Sequence, residues 1–295
     1  MIKKITFTLS LFAIFSTGIF AQVGQLRTEY MNPSQVESII RTVTKNEDDF
    51  RNALTNYVFN RKATIQTIGL GGLITGTFRR DSFMTFTTDG QRFERITYAP
   101  PSTLREISIT PADLEDLGGV NPFAINPQDM ANYVFDFVGK QKIDDLDLLV
   151  FDVRPRTLPK FKTDGKRYFS GRIWVDSKDL MIVKSKGKGV PEDKDNKFPI
   201  VETWRINVDG KYWFPAYTAS DDELVFGSGQ VVRLRIRVTY DDYKQGRSEV
   251  KILDDPTPVK ETENTEPTVE TPQPVDGKIP PPPPPLKRPT PKPRS

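Results

Sequence analysis

The sequence predicts an α+β fold in which one early helix accompanies a long, curled antiparallel sheet of about ten strands. Apolar residues recur at helical spacing between residues 33 and 57, and from there on the pattern alternates with a period of two. Asp-Gly and Gly-Gly pairs punctuate the alternating runs, as expected for hairpin turns. A sheet of that many strands has to curl, which favours a single large domain.

The early helix is predicted from its apolar stripe and from its first residues. Val36, Ile39, Ile40 and Val43 share one face, and the stripe continues through Phe50, Leu54 and Tyr57. Asn32 before Pro33 is a favourable N-cap with proline at the first helical position. A stripe of this kind indicates packing against a core.

The strands are predicted from alternation and from four turn signals. Asp89-Gly90 and Asp209-Gly210 separate alternating runs, Gly71-Gly72 marks a third hairpin, and Asp164-Gly165 is a further Asp-Gly pair. Further strands are predicted in NYVFDFVGK, LDLLVFDV, QVVRLRIRVTY and the hairpin KRYFSGRIWVDSKDLMIVKSKGKG. Short helical pieces are expected around PADLEDL and PQDMAN.

Both ends of the chain are predicted to lie outside the folded domain, which would span residues 22–253. Residues 1–21 have a basic start, an apolar middle and a small last residue, the pattern of a secretory signal peptide. Residues 254–295 have almost no large apolar side chains, a run of prolines at 280–285 and a basic end. This composition predicts a disordered tail, which could act as a spacer or dock a partner through its prolines or its basic end.

Composition also limits the compartment and the chemistry. The 295 residues include no Cys and no His, and the formal net charge is +3. Absence of Cys removes a disulfide framework and an N-terminal lipid anchor. Together with the predicted signal peptide, and with no eukaryotic features in the sequence, this favours a protein of the bacterial periplasm or another exported envelope compartment. The apolar run at the start is too short for a membrane span, and the modest charge gives no indication of nucleic acid as a partner.

Enzymatic chemistry has little support. A nucleophile would need a base other than His, and the glycine motifs fit neither a dinucleotide nor a phosphate loop. The acidic clusters, among them Glu47–Asp49 and Asp144–Asp147, fall at predicted turns or helix ends and are interpreted as solvated. We therefore expect no catalytic residues, no cofactor and no metal site.

Several segments together resemble the outer-membrane lipoprotein-sorting proteins of the LolA/LolB-like superfamily. They are YFSGRIWVDSKDLMIVKSKG, DGQRFERITYAPPSTL and INVDGKYWFPAYTAS, within residues 57–243. The resemblance implies an unclosed antiparallel β-barrel with helices across its concave side, in which some members carry lipids or lipoproteins. The chain is longer than a typical carrier, and its proline-rich tail has no counterpart in that family.

These observations lead to two hypotheses. In the first, the hydrophobic concave face of a half-barrel binds or carries a lipid or lipidated protein, and strand parity selects as lining residues Phe135, Phe137, Trp204, Ile206, Leu234 and Ile236. Gly171 would then mark either a bend of the barrel or space for a ligand. In the alternative, the core is filled, and the protein is a non-carrier envelope protein whose proline-rich tail docks a partner.

Overall fold

The structure, a computed structural model, describes residues 23–87, 91–110, 113, 127–158, 167–246 and 283–288. The predicted signal peptide, the Asp89-Gly90 and Asp164-Gly165 turns, most of the helical piece predicted around PADLEDL and most of the tail lie outside the described residues.

The described residues form one helix, α1, and one sheet of eleven strands, close to the ten predicted. Helix α1 spans Pro33–Leu54, and two short 3₁₀ helices span Leu70–Gly72 and Met130–Asn132. The strands are β1 (Arg27–Thr28), β2 (Tyr57–Ile68), β3 (Ile74–Phe86), β4 (Arg92–Tyr98), β5 (Tyr133–Ile143), β6 (Leu146–Pro155), β7 (Tyr168–Asp176), β8 (Ile182–Val190), β9 (Val201–Val208), β10 (Tyr212–Val225) and β11 (Val231–Gln245).

The sheet is open, and its neighbouring strands are antiparallel throughout. Its order is β1-β5-β6-β7-β8-β9-β10-β11-β2-β3-β4, so the chain adds neighbouring strands from β5 to β11 and then joins β2. Within the described residues the edge strands β1 and β4 do not pair with each other. The predicted α+β class, with a curled antiparallel sheet and an N-terminal helix, is confirmed.

Two of the predicted hairpin turns adopt the backbone conformation that their sequences favour. Asp209 and Gly210 join β9 to β10 with φ angles of +53° and +72°. Gly71 and Gly72 join β2 to β3 with φ angles of +68° and +82°. Positive φ at two successive residues suits a turn whose twist matches the paired strands, which is why these pairs identify hairpins in the sequence.

Helix α1 begins where the sequence predicts. The Asn32 side chain accepts a hydrogen bond from the Ser34 amide at 2.9 Å, and Pro33 occupies the first helical position, where a missing N–H costs nothing. The helix lies on one face of the sheet, which we call the helix-covered face. The opposite side of the same strands is the outer face.

Three buried clusters form the core. The C-terminal half of α1, through Phe50 and Leu54, packs with β2, β10 and β11 to form the C-terminal cluster. The N-terminal half, through Ile40 and Val43, packs with β5 to β8 to form the N-terminal cluster. The outer cluster contains no helix residue and includes Ile143, Leu146, Leu148, Val150, Trp174, Val183, Trp204, Trp213, Tyr217 and Leu286.

Gly171 provides space for a core side chain. It pairs with Gly187 across β7 and β8, and the ring of Phe169 lies against both. A Cβ atom added at Gly171 would lie 2.2 Å from the Lys186 carbonyl oxygen, and one added at Gly187 would lie 2.4 Å from Cε2 of the Phe169 ring. Gly171 therefore does not make room for a ligand, because backbone atoms and the Phe169 ring already fill the space beside it.

Candidate functional site

The helix-covered face is divided by a buried ion pair between the two apolar clusters. Arg205 of β9 donates to both carboxylate oxygens of Glu47 on α1, at 2.7 and 2.9 Å, and to the Ile182 carbonyl at 3.1 Å. Only 1% of the Glu47 side chain and 4% of the Arg205 side chain are exposed. The Arg205 guanidinium also lies 4.5 Å from the centre of the Phe50 ring. This pair fixes the middle of the helix over the sheet.

The interpretation of Glu47 as a solvated residue at a helix end is therefore wrong. Helix α1 continues to Leu54, and Glu47 lies four residues after Val43 and three before Phe50, on the apolar stripe itself. A charged residue at a stripe position is buried only when it is paired and hydrogen-bonded. This position within the stripe is the signal in the sequence that could have identified Glu47.

The structure brings five of the six predicted lining residues to the helix-covered face, in two groups. Phe135 and Phe137 are half-buried against the N-terminal cluster. Leu234 and Ile236 are buried in the C-terminal cluster, and Ile206 is half-buried against it. The two groups lie on either side of the Glu47–Arg205 pair and so do not form one continuous lining.

Trp204 lies in the outer cluster, so the prediction that it shares a face with Ile206 is wrong. Regular alternation breaks where β9 pairs with β10, at an irregularity between Pro215 and Tyr217. The Nζ atom of Lys184 lies 4.0 Å from the centre of the Trp204 ring and 4.7 Å from the centre of the Trp174 ring. The unpaired residue is Ala216 of β10, and opposite it the alternation of β9 breaks, with Trp204 in the outer cluster and Ile206 against the C-terminal cluster.

A half-buried apolar patch lies at the N-terminal end of the helix. We call it the helix rim, and it consists of Met31, Val36, Ile39, Phe135 and Phe137. These side chains pack against the N-terminal cluster but keep part of their surface exposed. The centre of the C-terminal cluster differs, because Leu234 is only 3% exposed and Ile236 only 4%.

A polar cleft of about 560 Å³ lies at the other end of the helix. It is lined by Ala53, Asn56, Tyr57, Asp209, Lys211, Tyr212, Tyr243, Lys244 and Gln245. The Tyr57 hydroxyl donates to Asp209 at 2.6 Å. Burial, followed by the hydrogen bond to Asp209, raises the pKa of Tyr57 to about 12, so this phenol keeps its proton at neutral pH.

The described residues offer little for a metal or a membrane span. No group of three or more acidic side chains in this part of the chain is placed to hold a metal ion. Nor does this part of the chain contain a helix long and apolar enough to cross a bilayer.

No family model and no curated protein matches the chain. Among solved structures, a DUF1329 family protein from Desulfovibrio piger is similar over 76% of this chain and 96% of its own, with 13% sequence identity and a TM-score of 0.36. We infer neither fold nor function from a similarity of this size. The class is thus defined by the structure itself: an open antiparallel sheet with one face covered by a helix.

Proposed function

We propose that this protein binds or carries a lipid or a lipidated protein in the bacterial periplasm or another exported envelope compartment. The observation that carries the proposal is the helix rim, a half-buried group of aliphatic and aromatic side chains on the helix-covered face. Phe135 and Phe137, two of the lining residues expected from the sequence, belong to it.

Acyl-chain binding at the rim is supported by the distribution of burial along the helix. At the centre, the Glu47–Arg205 pair and residues such as Leu234 are almost fully buried. At the rim, apolar surface is still in contact with water, and a chain that covers it gains about 0.8 kcal/mol for each buried methylene. The acyl chain would therefore lie between the first turns of α1 and β5.

The test combines mass spectrometry with fatty-acid binding. Full-length protein purified gently from its native cell envelope should release acyl-chain material on extraction, and the purified protein should bind a fluorescent fatty acid. Phe137→Asn should weaken that binding at least tenfold. The matched control is Phe78→Asn, because Phe78 is also half-buried but packs against the C-terminal cluster.

Two results would contradict acyl-chain binding. One is ligand-free protein in repeated native preparations together with no fluorescent fatty-acid binding. The other is equal weakening by the Phe137 and Phe78 substitutions, which would indicate a general loss of structure rather than a site.

A separate observation bears on the alternative function, a tail that docks a partner, because one segment of the tail lies against a folded surface. Leu286 of the proline-rich tail is buried in the outer cluster, on the side of the sheet opposite the helix. The two functions can be separated in one full-length variant: Leu286→Asp should leave fatty-acid binding unchanged, because the helix rim lies on the other face.

A further inference from the structure

A short segment of the tail, residues 283–288, lies across the outer face. It contacts two hairpin turns, the β5–β6 turn at Asp144 and the β7–β8 turn that follows Asp176. These turns are adjacent, because Leu148 of β6 pairs with Asp176 of β7 and the Ser177 amide donates to the Asp147 carbonyl at 3.0 Å. We call the surface between them the outer groove; it consists of Asp144, Asp176, Asp179 and the neighbouring part of the outer cluster.

Leu286 anchors the segment. Its side chain is fully buried in the outer cluster, and its backbone amide donates to Asp144 Oδ2 at 2.8 Å. Burial of a leucine side chain is favourable relative to its exposure to water. The amide hydrogen bond fixes the position of the peptide backbone, so one residue supplies both affinity and register.

Arg288 supplies the charge that the groove requires. Its guanidinium forms an ion pair with Asp176, whose side chain is fully buried, and lies 3.6 Å from Asp179 Oδ1. Among the ion pairs of the described residues, Arg288 is the sole basic partner of Asp176. A buried carboxylate is costly without a cation, so the folded domain by itself contains an anionic site that a peptide arginine completes.

The contacts alternate along the segment. Leu286 is buried, Lys287 is exposed and Arg288 is partly buried. The three preceding prolines, Pro283 to Pro285, are partly buried as well. Proline restricts the free peptide, so less conformational entropy is lost on binding. The groove therefore favours peptides with the pattern Pro-Pro-Leu-x-Arg. The residue between Leu and Arg is exposed and does not contribute to this preference.

We propose that the outer groove is a binding site for peptides that contain the pattern Pro-Pro-Leu-x-Arg, and that the chain's own residues 283–288 occupy it within the same molecule. This site is independent of acyl-chain binding, because it lies on the other face of the sheet. A free peptide or partner segment of the same pattern binds by replacing the tail.

Tethering determines how such a replacement would be observed. A ligand joined to its site binds at an effective concentration in the millimolar range, so a free peptide competes poorly while the tail is docked. Removing the anchor at Leu286 opens the groove without removing the groove's own residues. The full-length protein with Leu286→Asp is thus the suitable acceptor.

The experiment measures fluorescence anisotropy of a labelled peptide of residues 280–291, PPPPPPLKRPTP, added to full-length proteins. We expect the peptide to bind the Leu286→Asp protein at least tenfold more tightly than the wild type. Peptides carrying Leu286→Asp or Arg288→Ala should lose at least tenfold in affinity for the opened groove. The peptide carrying Lys287→Ala is the matched control, since it also loses one positive charge and should bind normally.

A second acceptor variant and further measurements show whether a change in peptide binding comes from misfolding of the protein. Arg288→Glu should also open the groove, and circular dichroism reports whether either variant keeps its sheet. In the wild type, hydrogen exchange at the Leu286 amide should be slower than at Lys287, because only the former donates to Asp144. All three tryptophans of the chain lie in the outer cluster, so intrinsic fluorescence should change when the tail is released.

Each remaining outcome overturns the proposal. No peptide binding to folded Leu286→Asp or Arg288→Glu protein would show that the groove is not a peptide site. Equal binding to wild type and variants, or fast exchange at Leu286, would show that the tail does not occupy the groove. A dimer that forms with rising concentration and is lost in Leu286→Asp would place the tail of a second copy there instead.

Discussion

The two faces of the sheet are covered in the same chemical way but by different kinds of segment. Each has an apolar cluster beside an ion pair between arginine and a buried carboxylate: Glu47 with Arg205 under the helix, and Asp176 with Arg288 on the outer face. In the first, both partners are almost fully buried, and the helix leads directly into β2. In the second, the arginine is one-third exposed and belongs to a tail segment joined to β11 through residues 247–282. The difference indicates a permanent cover on one face and an exchangeable one on the other.

The strongest test of this contrast is to break the pair under the helix. Arg205→Met should lower the free energy of unfolding by about 3–5 kcal/mol, because Glu47 would be left buried without a partner. Replacing both residues by Met should recover most of that loss, since no uncompensated charge is then buried. Chemical denaturation of the three proteins measures both effects.

An exposed ion pair on the same helix provides the control. The Arg41 Nη2 atom lies 2.6 Å from the Glu37 Oε1 atom, and more than half of each side chain is exposed. Such pairs contribute about 0.3–0.5 kcal/mol, so Arg41→Met should have almost no effect. Similar losses for Arg41→Met and Arg205→Met would contradict a structural role of the buried pair.

The next test compares one leucine from each face. Leu234→Ala, in the C-terminal cluster, should cost about 2–5 kcal/mol, as expected for a side chain that cannot leave the core. Leu286→Ala removes the same atoms from an equally buried site but should cost only about 1–2 kcal/mol, because local release of the tail limits the loss. Denaturation curves followed by circular dichroism compare the two, and equal losses would make the tail a fixed part of the core.

The part of the fold that follows from local patterns could be predicted from the sequence. Val232, Leu234, Ile236, Val238 and Tyr240 alternate along β11, and all five are buried in one cluster. Helix α1 begins after its predicted cap at Asn32, and hairpin turns form at Asp209-Gly210 and Gly71-Gly72. In each case the physical cause lies within a few neighbouring residues.

The features that depend on distant contacts could not be predicted in the same way. Trp204 changes face because of an irregularity against β10, and parity within β9 contains no sign of it. Arg205 meets Glu47 across a sequence separation of 158 residues. By composition, Leu286 is one apolar residue in a tail too polar to fold, yet its side chain is buried in the outer cluster of the domain. Tertiary contacts of this kind override local composition.

The smallest expected effect is a pH dependence confined to the outer face. Burial, followed by the neighbouring Asp179 carboxylate, raises the pKa of Asp176 to about 6, while Arg288 acts in the opposite direction. Loss of the Arg288 charge raises the pKa of Asp176 further, so docking of the tail releases protons. Docking is strongest above the pKa of the released state, which is higher than 6, and weakens as the pH falls towards 6. As the pH falls through about 6, Asp176 becomes protonated and its attraction for Arg288 is lost. We expect the affinity of the 280–291 peptide for the Leu286→Asp protein to fall several-fold between pH 7.5 and 5. Asp176→Asn should remove most of this dependence, whereas an affinity that does not change with pH in the parent would show that the buried carboxylate does not hold the arginine.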